Sequence, residues 1–328
     1  MTRAKIIGIG SYTPERVLTN KDLENMVDTS DEWIITRTGI SERHIAADDE
    51  DTSDMCVRAA QGAFTMAGLV PEDVDLILAA SVTPDFRVPS LACIIQKKLG
   101  AVNAAAMDIA AACAGFINGL TVARSFILTG AYKTILVFGA EKLSSITNYE
   151  DRNTCVLFGD AAGAAILTAS DDGSGILSTY LKSDGRLNQL IHIPAGGTHA
   201  PFGVGNGDFR KADACLHMNG REVFKYAVRL MGDAALRVIK DAGLTPEQID
   251  LFVPHQANIR IIRSTAERLH LPWEKVYLNI EKFGNTSAAS VPLALDQALR
   301  EGRIKKGDHV LGVAFGGGLT WGAVLFRW

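Results

Sequence analysis

The chain has 328 residues, of which 47% are apolar and 21% are charged, and its formal net charge is −4. These proportions are typical of a soluble globular protein; they exclude a disordered chain and lack the basic excess of nucleic-acid-binding proteins. The length predicts about two domain-sized units.

Helices and strands are predicted to alternate along the chain. The apolar run before Pro14 predicts a first strand and no signal peptide. Further apolar runs predict strands at 74–81, 104–110, 133–140, 162–169, 249–254 and 309–315. Helical spacing predicts helices at 53–67, 90–99, 113–129, 219–242, 258–269 and 287–301. This alternation indicates an α/β protein with parallel or mixed sheets covered by helices.

The longest apolar stretch, residues 104–123, is a weak candidate for a membrane span. It contains Asp108 and consists largely of alanine, so a strand followed by a buried helix is the better interpretation. We therefore expect no membrane association.

The cysteines favour a reduced, cytoplasmic protein. Their number is odd, their spacing is irregular and no C-x-x-C motif occurs, which argues against a disulfide framework and a zinc site. The five are Cys56, Cys93, Cys113, Cys155 and Cys215.

Two segments of the chain repeat one pattern. Residues 67–78 read AGLVPEDVDLIL and residues 242–253, 175 positions later, read AGLTPEQIDLFV. Any αβ unit carries a glycine cap and an apolar strand, but the shared A-G-L-x-P-E-x-[VI]-D-L makes coincidence unlikely. The repeat predicts two copies of one α/β unit, at 1–171 and 172–328. Residues 184–215, rich in Gly, His, Pro and Asn, are predicted to be an insertion loop.

Candidate catalytic residues stand where strands meet helices. Cys113 follows a strand at the predicted start of a helix, where free N–H groups and the helix dipole stabilise a thiolate. His255 follows the strand ending at Pro254, and strand ends are where sites lie in open α/β sheets. Asn285 precedes the helix of 287–301 and is 172 residues from Cys113, so the two are expected to head equivalent helices. Each residue also has a purely structural explanation. Cys113 could be incidental to a helix of small residues, His255 a core histidine and Asn285 a helix cap.

The C-terminal Gly316-Gly317-Gly318 has two interpretations. It is either a bare turn or backbone pressed against a substrate, with free N–H groups forming an oxyanion hole. It is not a phosphate loop, because no G-K-[ST] follows.

Together these motifs resemble the β-ketoacyl-acyl carrier protein synthase III family, which initiates type II fatty-acid synthesis. The resemblance rests on ACAGF at Cys113, PHQAN at His255, GNTSAAS at Asn285 and FGGGLTWG at the C-terminus, with further segments at 27–47 and 157–165. It implies a thiolase-like α/β fold of two duplicated halves in a layered αβαβα sandwich. It also implies a homodimer that needs no cofactor or metal, with coenzyme A (CoA) thioester as a substrate.

The resemblance implies a ping-pong condensation of an acyl-CoA, acetyl-CoA above all, with malonyl-acyl carrier protein. Cys113 would carry the acyl group, and His255 and Asn285 would stabilise the enolate that forms on loss of carbon dioxide. The backbone N–H groups of Cys113 and Gly317 would form the oxyanion hole. No general-base carboxylate is apparent in the sequence.

Other residues match binding positions of the family. The implied CoA-binding residues are Trp33, Arg37, Arg152, Ala257 and Asn258. Those implied to bind the acidic carrier protein are Lys225, Gln256 and Arg260. Val88, in a loop that reaches the acyl pocket across the dimer, and Phe315 are assigned to the acyl pocket. Because family members often have a larger aromatic residue at position 88, we expect acyl groups longer than acetyl to fit.

Two alternatives remain. One is a thiolase-fold acyltransferase of secondary metabolism that uses the same Cys, His and Asn with another starter or acceptor. The other is a catalytically silent scaffold or carrier-protein-binding subunit, against which the intact catalytic residues argue.

Overall fold

Strands and helices alternate through most of the computed structural model, which describes residues 2–202 and 211–328. The strands are β1 (Arg3–Tyr12), β2 (Arg16–Thr19), β3 (Glu42–Ile45), β4 (Leu76–Ala80), β5 (Ala105–Ile109), β6 (Ile135–Glu141), β7 (Ala161–Ser170), β8 (Gly175–Ser183), β9 (Ile191–His192), β10 (His217–Met218), β11 (Leu251–Pro254), β12 (His309–Gly316) and β13 (Thr320–Arg327). The helices are α1 (Asn20–Glu24), α2 (Asp31–Thr38), α3 (Thr52–Ala67), α4 (Leu91–Leu99), α5 (Gly115–Thr129), α6 (Arg152–Cys155), α7 (Gly220–Asp241), α8 (Ile259–Arg268), α9 (Ile280–Phe283) and α10 (Ser290–Arg300).

The ends of the long helices follow from their capping residues. Helix α3 starts with a capping box between Asp51 and Asp54 and ends at Gly68, whose φ of 66° only glycine adopts at little cost. Helix α4 starts where Ser90 Oγ accepts from Cys93 N at 3.3 Å and ends at Gly100 in the same left-handed conformation. The predicted helices 53–67 and 90–99 are therefore confirmed within a residue at each end.

Two sheets share one strand plan. The first has the order β1-β7-β6-β4-β5 and the second has the order β8-β13-β12-β11. In each sheet one neighbouring pair, β4 and β6 or β11 and β12, runs parallel. The pairs from there towards β1 or β8 are antiparallel. The counterpart of β5 is reduced to an isolated bridge between Phe252 and Val276.

The layers are helix, sheet, helix, sheet, helix, which confirms the predicted thiolase-like sandwich. Helices α3 and α4 cover the outer face of the first sheet, and α7 and α8 cover that of the second. Helices α5 and α10 form the middle layer and contact both sheets. Ala112–Thr129 is the one described helical stretch long and apolar enough to cross a membrane, and it is this middle-layer helix.

Several elements were not predicted. Strands β8 and β13 complete the second sheet, and the predicted boundary at 171/172 falls in the turn between β7 and β8. The predicted insertion loop contains a 3₁₀ turn at Gly185–Leu190 and the strand β9, which pairs with β10. The part of that loop at 203–210 lies outside the described residues.

Candidate active site

Cys113 lies in a tight turn at the head of the middle-layer helix α5. The turn is the 3₁₀ segment Ala112–Ala114, and Ala112 has a left-handed φ of 43°. The end of β12 presses on it from the second half: a Cβ built on Gly316 would lie 2.6 Å from Cys113 N. Only glycine permits this approach. The C-terminal glycines are therefore not a bare turn, because their backbone borders the Cys113 turn.

An equivalent turn lies in the second half. Ser287 begins the 3₁₀ segment Ser287–Ala289 before α10 and has a left-handed φ of 48°. It stands 175 residues after Ala112, the spacing of the sequence repeat. The prediction that Cys113 and Asn285 precede equivalent helices is right, but the residue that occupies the position of Cys113 is Ala288.

Asn285 is fixed by this second turn. Its Oδ1 accepts from Ser287 N at 2.9 Å, and its own carbonyl accepts from Gly159 N at 3.1 Å. Because Oδ1 is engaged, the amide Nδ2 is the group left to donate into the cavity.

His255 is a buried, neutral imidazole directly after β11. Its side chain is packed so closely that the residue is only 2% exposed, and this burial lowers its pKa to about 3. Its Nδ1 lies 2.5 Å from Ser290 Oγ, which also accepts from Gln256 N at 3.4 Å. In the tautomer in which Nδ1 accepts the Ser290 hydroxyl hydrogen, the imidazole hydrogen lies on Nε2, where it can act as a second donor.

One cavity of about 270 Å³ brings the three candidate catalytic side chains together. Its lining includes Cys113, His255, Asn285, Phe315, Ala257, Asn258, Arg37, Arg260 and Trp33. A larger surface groove of about 730 Å³, beside Lys5 and Trp328, holds none of these residues. Chemistry and cavity therefore coincide at the heads of α5 and α10.

The cavity runs outward to a cluster of aromatic and basic side chains. The Arg152 guanidinium lies 5.2 Å from the ring centre of Trp33, and that of Arg37 lies 5.9 Å from it. Asn258 Nδ2 donates to Arg37 O at 2.9 Å, which ties the start of α8 to α2. A spacing of 5.2 Å leaves no room for a flat ring between them, so a ring can stack between Trp33 and Arg152 only when the guanidinium moves further from the indole.

The residues assigned to carrier-protein binding are not equivalent. Arg260 is exposed and stacks over Phe224 at 5.4 Å, and Lys225 is exposed and paired with Glu222 at 2.6 Å. Gln256 is buried, and its Nε2 donates to Pro254 O at 2.8 Å and to Tyr277 O at 3.2 Å. The assignment of Gln256 was therefore wrong, because a docked protein cannot reach a side chain that holds the loop beneath His255.

The two acyl-pocket residues also differ in position. Phe315 is buried and lines the cavity. Val88 is 85% exposed and does not line the cavity of its own chain. Val88 contributes to an acyl pocket only if it reaches that of a second copy.

Burial opposes the expected thiolate at Cys113. The surrounding protein raises the pKa of this thiol to about 12, although the Ser287 hydroxyl and the cysteine's own N–H lower it. The resting side chain is therefore a thiol, and its proton must leave before the sulfur attacks.

Sequence reasoning missed a buried carboxylate beside this turn. Glu141, the last residue of β6, accepts hydrogen bonds from Ser287, Thr83, Ser81 and the backbone N–H of Val82. Burial raises its pKa to about 7. The available signal was a glutamate at the very end of an apolar strand, where a charge has no reason to be buried unless donors surround it.

Comparisons with known proteins identify the family of the chain. The family model for 3-oxoacyl-[acyl-carrier-protein] synthase III matches residues 107–185, and the model for its C-terminal part matches 239–328. The chain is 54% identical over 325 residues to the β-ketoacyl-[acyl-carrier-protein] synthase III of Caldanaerobacter subterraneus subsp. tengcongensis, covering 99% of this chain and 98% of that protein.

Solved structures give the same result. The crystal structure of 3-oxoacyl-[acyl-carrier-protein] synthase III from Aquifex aeolicus VF5 has a TM-score of 0.92 and 51% identity, covering 99% of this chain and 100% of that one. The priming β-ketosynthase of the R1128 polyketide pathway has a TM-score of 0.91 and 36% identity, covering 99% and 96%. The chain therefore belongs to the 3-oxoacyl-[acyl-carrier-protein] synthase III family.

Proposed function

We propose that this protein is the acyltransferase that starts fatty-acid synthesis by condensing an acyl-CoA with malonyl-acyl carrier protein. One observation carries the proposal: a thiol and two neutral hydrogen-bond donors, from Cys113, His255 and Asn285, line a single cavity. A nucleophile with donors and no charged base beside the enolate position is what a decarboxylative condensation requires.

In the first half-reaction, the Cys113 thiol gives up its proton to the surrounding protein, and its sulfur attacks the thioester carbon of the acyl-CoA. The tetrahedral oxyanion accepts hydrogen bonds from the N–H groups of Cys113 and Gly317, each worth roughly 3 kcal/mol. The contact of Gly316 with Cys113 N supports this pairing, since it brings the next peptide to the turn. The oxyanion then collapses, the carbon–sulfur bond to CoA breaks, and the CoA thiolate leaves and is protonated from solvent.

In the second half-reaction, malonyl-acyl carrier protein occupies the same cavity. The bond from its C2 to the carboxylate breaks, carbon dioxide leaves, and the electron pair forms an enolate whose oxygen accepts from His255 Nε2 and Asn285 Nδ2. The enolate carbon then attacks the acyl carbon on Cys113. Expulsion of the Cys113 thiolate yields 3-oxoacyl-acyl carrier protein.

The outer end of the cavity is proposed to hold CoA. Trp33 and Arg152 would take the adenine between them, and Arg37 would contact a phosphate, with Ala257 and Asn258 along the pantetheine. Arginine suits both tasks, because its planar guanidinium stacks on rings and pairs with phosphate. Exposed Arg260 and Lys225 beside the cavity would contact the acidic carrier protein.

We propose a homodimer that joins through β5. This strand is the edge of its sheet and is largely exposed, so its backbone groups are free to pair with a second copy. Exposed apolar side chains of Phe86, Val88, Val102 and Met107 are carried by β5 or the loops before it. Joined in this way, the Val88 loop would complete the partner's acyl pocket. Sedimentation of the protein as a monomer at micromolar concentration would refute this.

A cytoplasmic location and the absence of a cofactor or metal remain part of the proposal. The free state of all five cysteines supports a reducing compartment.

The decisive experiment is intact-protein mass spectrometry after mixing with acetyl-CoA. We expect a mass gain of one acetyl group on Cys113, and none in Cys113→Ser. Absence of acylation by acetyl-, butyryl- and octanoyl-CoA alike would overturn the proposal. Relative turnover of the three thioesters tests the expectation that starters longer than acetyl fit; turnover of acetyl-CoA alone would refute it.

The second candidate is an acyltransferase of secondary metabolism. The 36% identity to the R1128 priming ketosynthase favours it less than the 54% and 51% identities favour the fatty-acid enzyme. Condensation with malonyl-acyl carrier protein but not with malonyl-CoA supports the first candidate, and the reverse supports the second.

A further inference from the structure

Glu141 is a fully buried carboxylate for which the proposed mechanism has no use. Thr83 Oγ1 donates to its Oε2 at 2.6 Å, Val82 N at 3.1 Å and Ser81 Oγ at 3.2 Å. Burying a carboxylate is costly, so a carboxylate persists in a protein interior only where hydrogen-bond donors surround it. Glu141 ends β6, which packs against the Ser287 turn, and its charge acts on the thiol of Cys113 in the other turn.

Ser287 connects Glu141 to the nucleophile. Its Oγ donates to Glu141 Oε1 at 3.1 Å. The turn that carries Ser287 packs directly against the turn that carries Cys113, and the Ser287 hydroxyl lowers the pKa of the Cys113 thiol. A hydroxyl has one hydrogen and two lone pairs, so Ser287 can accept the thiol hydrogen while it donates to Glu141, and it can donate to the sulfur once that hydrogen has passed to it. The left-handed backbone at Ser287 and its N–H bond to Asn285 hold this bridge in place.

We propose that Glu141, acting through Ser287, takes the proton of Cys113 when the cysteine is acylated and returns it when the cysteine is expelled. In acylation, the S–H hydrogen passes to Ser287 Oγ while the Ser287 hydrogen passes to Glu141. The sulfur pair forms the bond to the acyl carbon. In condensation, the released thiolate receives a proton from Ser287, which regains one from Glu141, so the enzyme ends as it began. This inference rests on the proposed function and adds a positioning residue, Glu141, to it.

Other groups are poor acceptors for the Cys113 proton. His255 is neutral with Nδ1 facing Ser290, and the tautomer that donates to the enolate carries its hydrogen on Nε2, so it has no free acceptor for the thiol. The thiol itself is held protonated by its burial. Among the described residues, Glu141 is the carboxylate that hydrogen-bonds to Ser287, and burial raises its pKa to about 7, where an acceptor can also return the proton.

The titratable groups near Glu141 include two thiols and a lysine. Cys113 and Cys56, from the turn before α5 and from α3, both sense its charge. Lys142 follows it in sequence, but its Nζ points away to the carbonyls of Ala47 and Glu50. Asp85 and Asp108 are further carboxylates whose charge raises the pKa of the Cys56 thiol. A pH profile near neutrality therefore reports on Glu141.

The test is the single-turnover rate of Cys113 acylation by acetyl-CoA between pH 5.5 and 9, followed by mass spectrometry. For the wild-type enzyme we expect the rate to rise with pH and to inflect near neutrality. Glu141→Gln and Ser287→Ala should each slow acylation about 100-fold and lose the inflection. Thr83→Val removes a donor to the carboxylate and raises its pKa, so its inflection should move to higher pH.

Matched controls separate the relay from general packing. Asp296→Asn neutralises another buried carboxylate, which pairs with Ser11 and Arg300, and Ser178→Ala removes a buried hydroxyl from β8. Both should keep the wild-type rate and profile. The rate at which iodoacetamide alkylates Cys113 over the same pH range should rank the variants in the same order, without any acyl-CoA.

Wild-type acylation rates and profiles in either Glu141→Gln or Ser287→Ala would overturn the relay. If Glu141→Gln does not fold, Ser287→Ala decides the matter. A wild-type enzyme that is never acylated on Cys113 contradicts the proposed function itself, so the two failures are distinguishable.

Discussion

Ala112 and Ser287 adopt nearly the same left-handed backbone, with φ of 43° and 48°, at positions 175 residues apart. Each starts the tight turn that precedes a middle-layer helix. One turn presents the thiol of Cys113, and the other presents Ser287 and fixes Asn285. The active site is thus built from two copies of one structural device that carry different side chains.

Loss of either enolate donor should separate the two half-reactions. We expect His255→Ala and Asn285→Ala to keep acylation of Cys113 and to lose condensation by at least about 100-fold, because each donor acts on the malonyl oxygen. The measurement is acyl-enzyme formation by mass spectrometry alongside 3-oxoacyl-acyl carrier protein formation. Failure of either variant to become acylated would contradict this division of roles.

Gly316→Ala should damage both stability and acylation. The added Cβ would lie 2.6 Å from Cys113 N, so β12 or the Cys113 turn must shift, at a cost of about 1–3 kcal/mol. Denaturant unfolding and the acylation rate measure the two effects. Gly185→Ala is the control, since a Cβ there has open space, and equal behaviour of the two variants would refute the prediction.

Trp33→Ala should weaken acyl-CoA binding without changing the second half-reaction. We expect KM for acetyl-CoA to rise about 10-fold, while KM for malonyl-acyl carrier protein stays constant, because the lost stacking surface serves the adenine. Trp273→Ala is a matched control: the guanidinium of Arg263 lies 5.2 Å from the centre of the Trp273 ring, but Trp273 does not line the cavity. A similar KM in both variants would remove Trp33 from the CoA site.

Acid should destabilise the protein through His255. Its folded pKa of about 3 lies below the value of about 6.5 in the unfolded chain. The unfolded state therefore binds the extra proton first, and stability that is present above about pH 6.5 is lost as the pH falls, at up to ~1.4 kcal/mol per pH unit.

The comparison of wild type with His255→Gln tests this linkage. Between pH 7 and pH 5 the free energy of unfolding of the wild type should fall by about 2 kcal/mol more than that of the variant. His199→Gln, which changes an exposed histidine, should follow the wild type. A parallel fall in wild type and His255→Gln would show that His255 gains its proton in the folded protein.

The sequence by itself determined the duplicated α/β plan, most helix bounds and the identity of Cys113, His255 and Asn285. Periodic apolar residues, glycine caps and the 175-residue repeat are local signals, so they survive without coordinates. Tertiary structure alone decided which polar groups face one another. It removed Gln256 from the docking surface and placed Val88 outside its own cavity. It also brought Glu141 from the end of β6 to the nucleophile's neighbour Ser287, 146 residues away. Burial and hydrogen bonding depend on contacts between distant segments, and no local pattern records them.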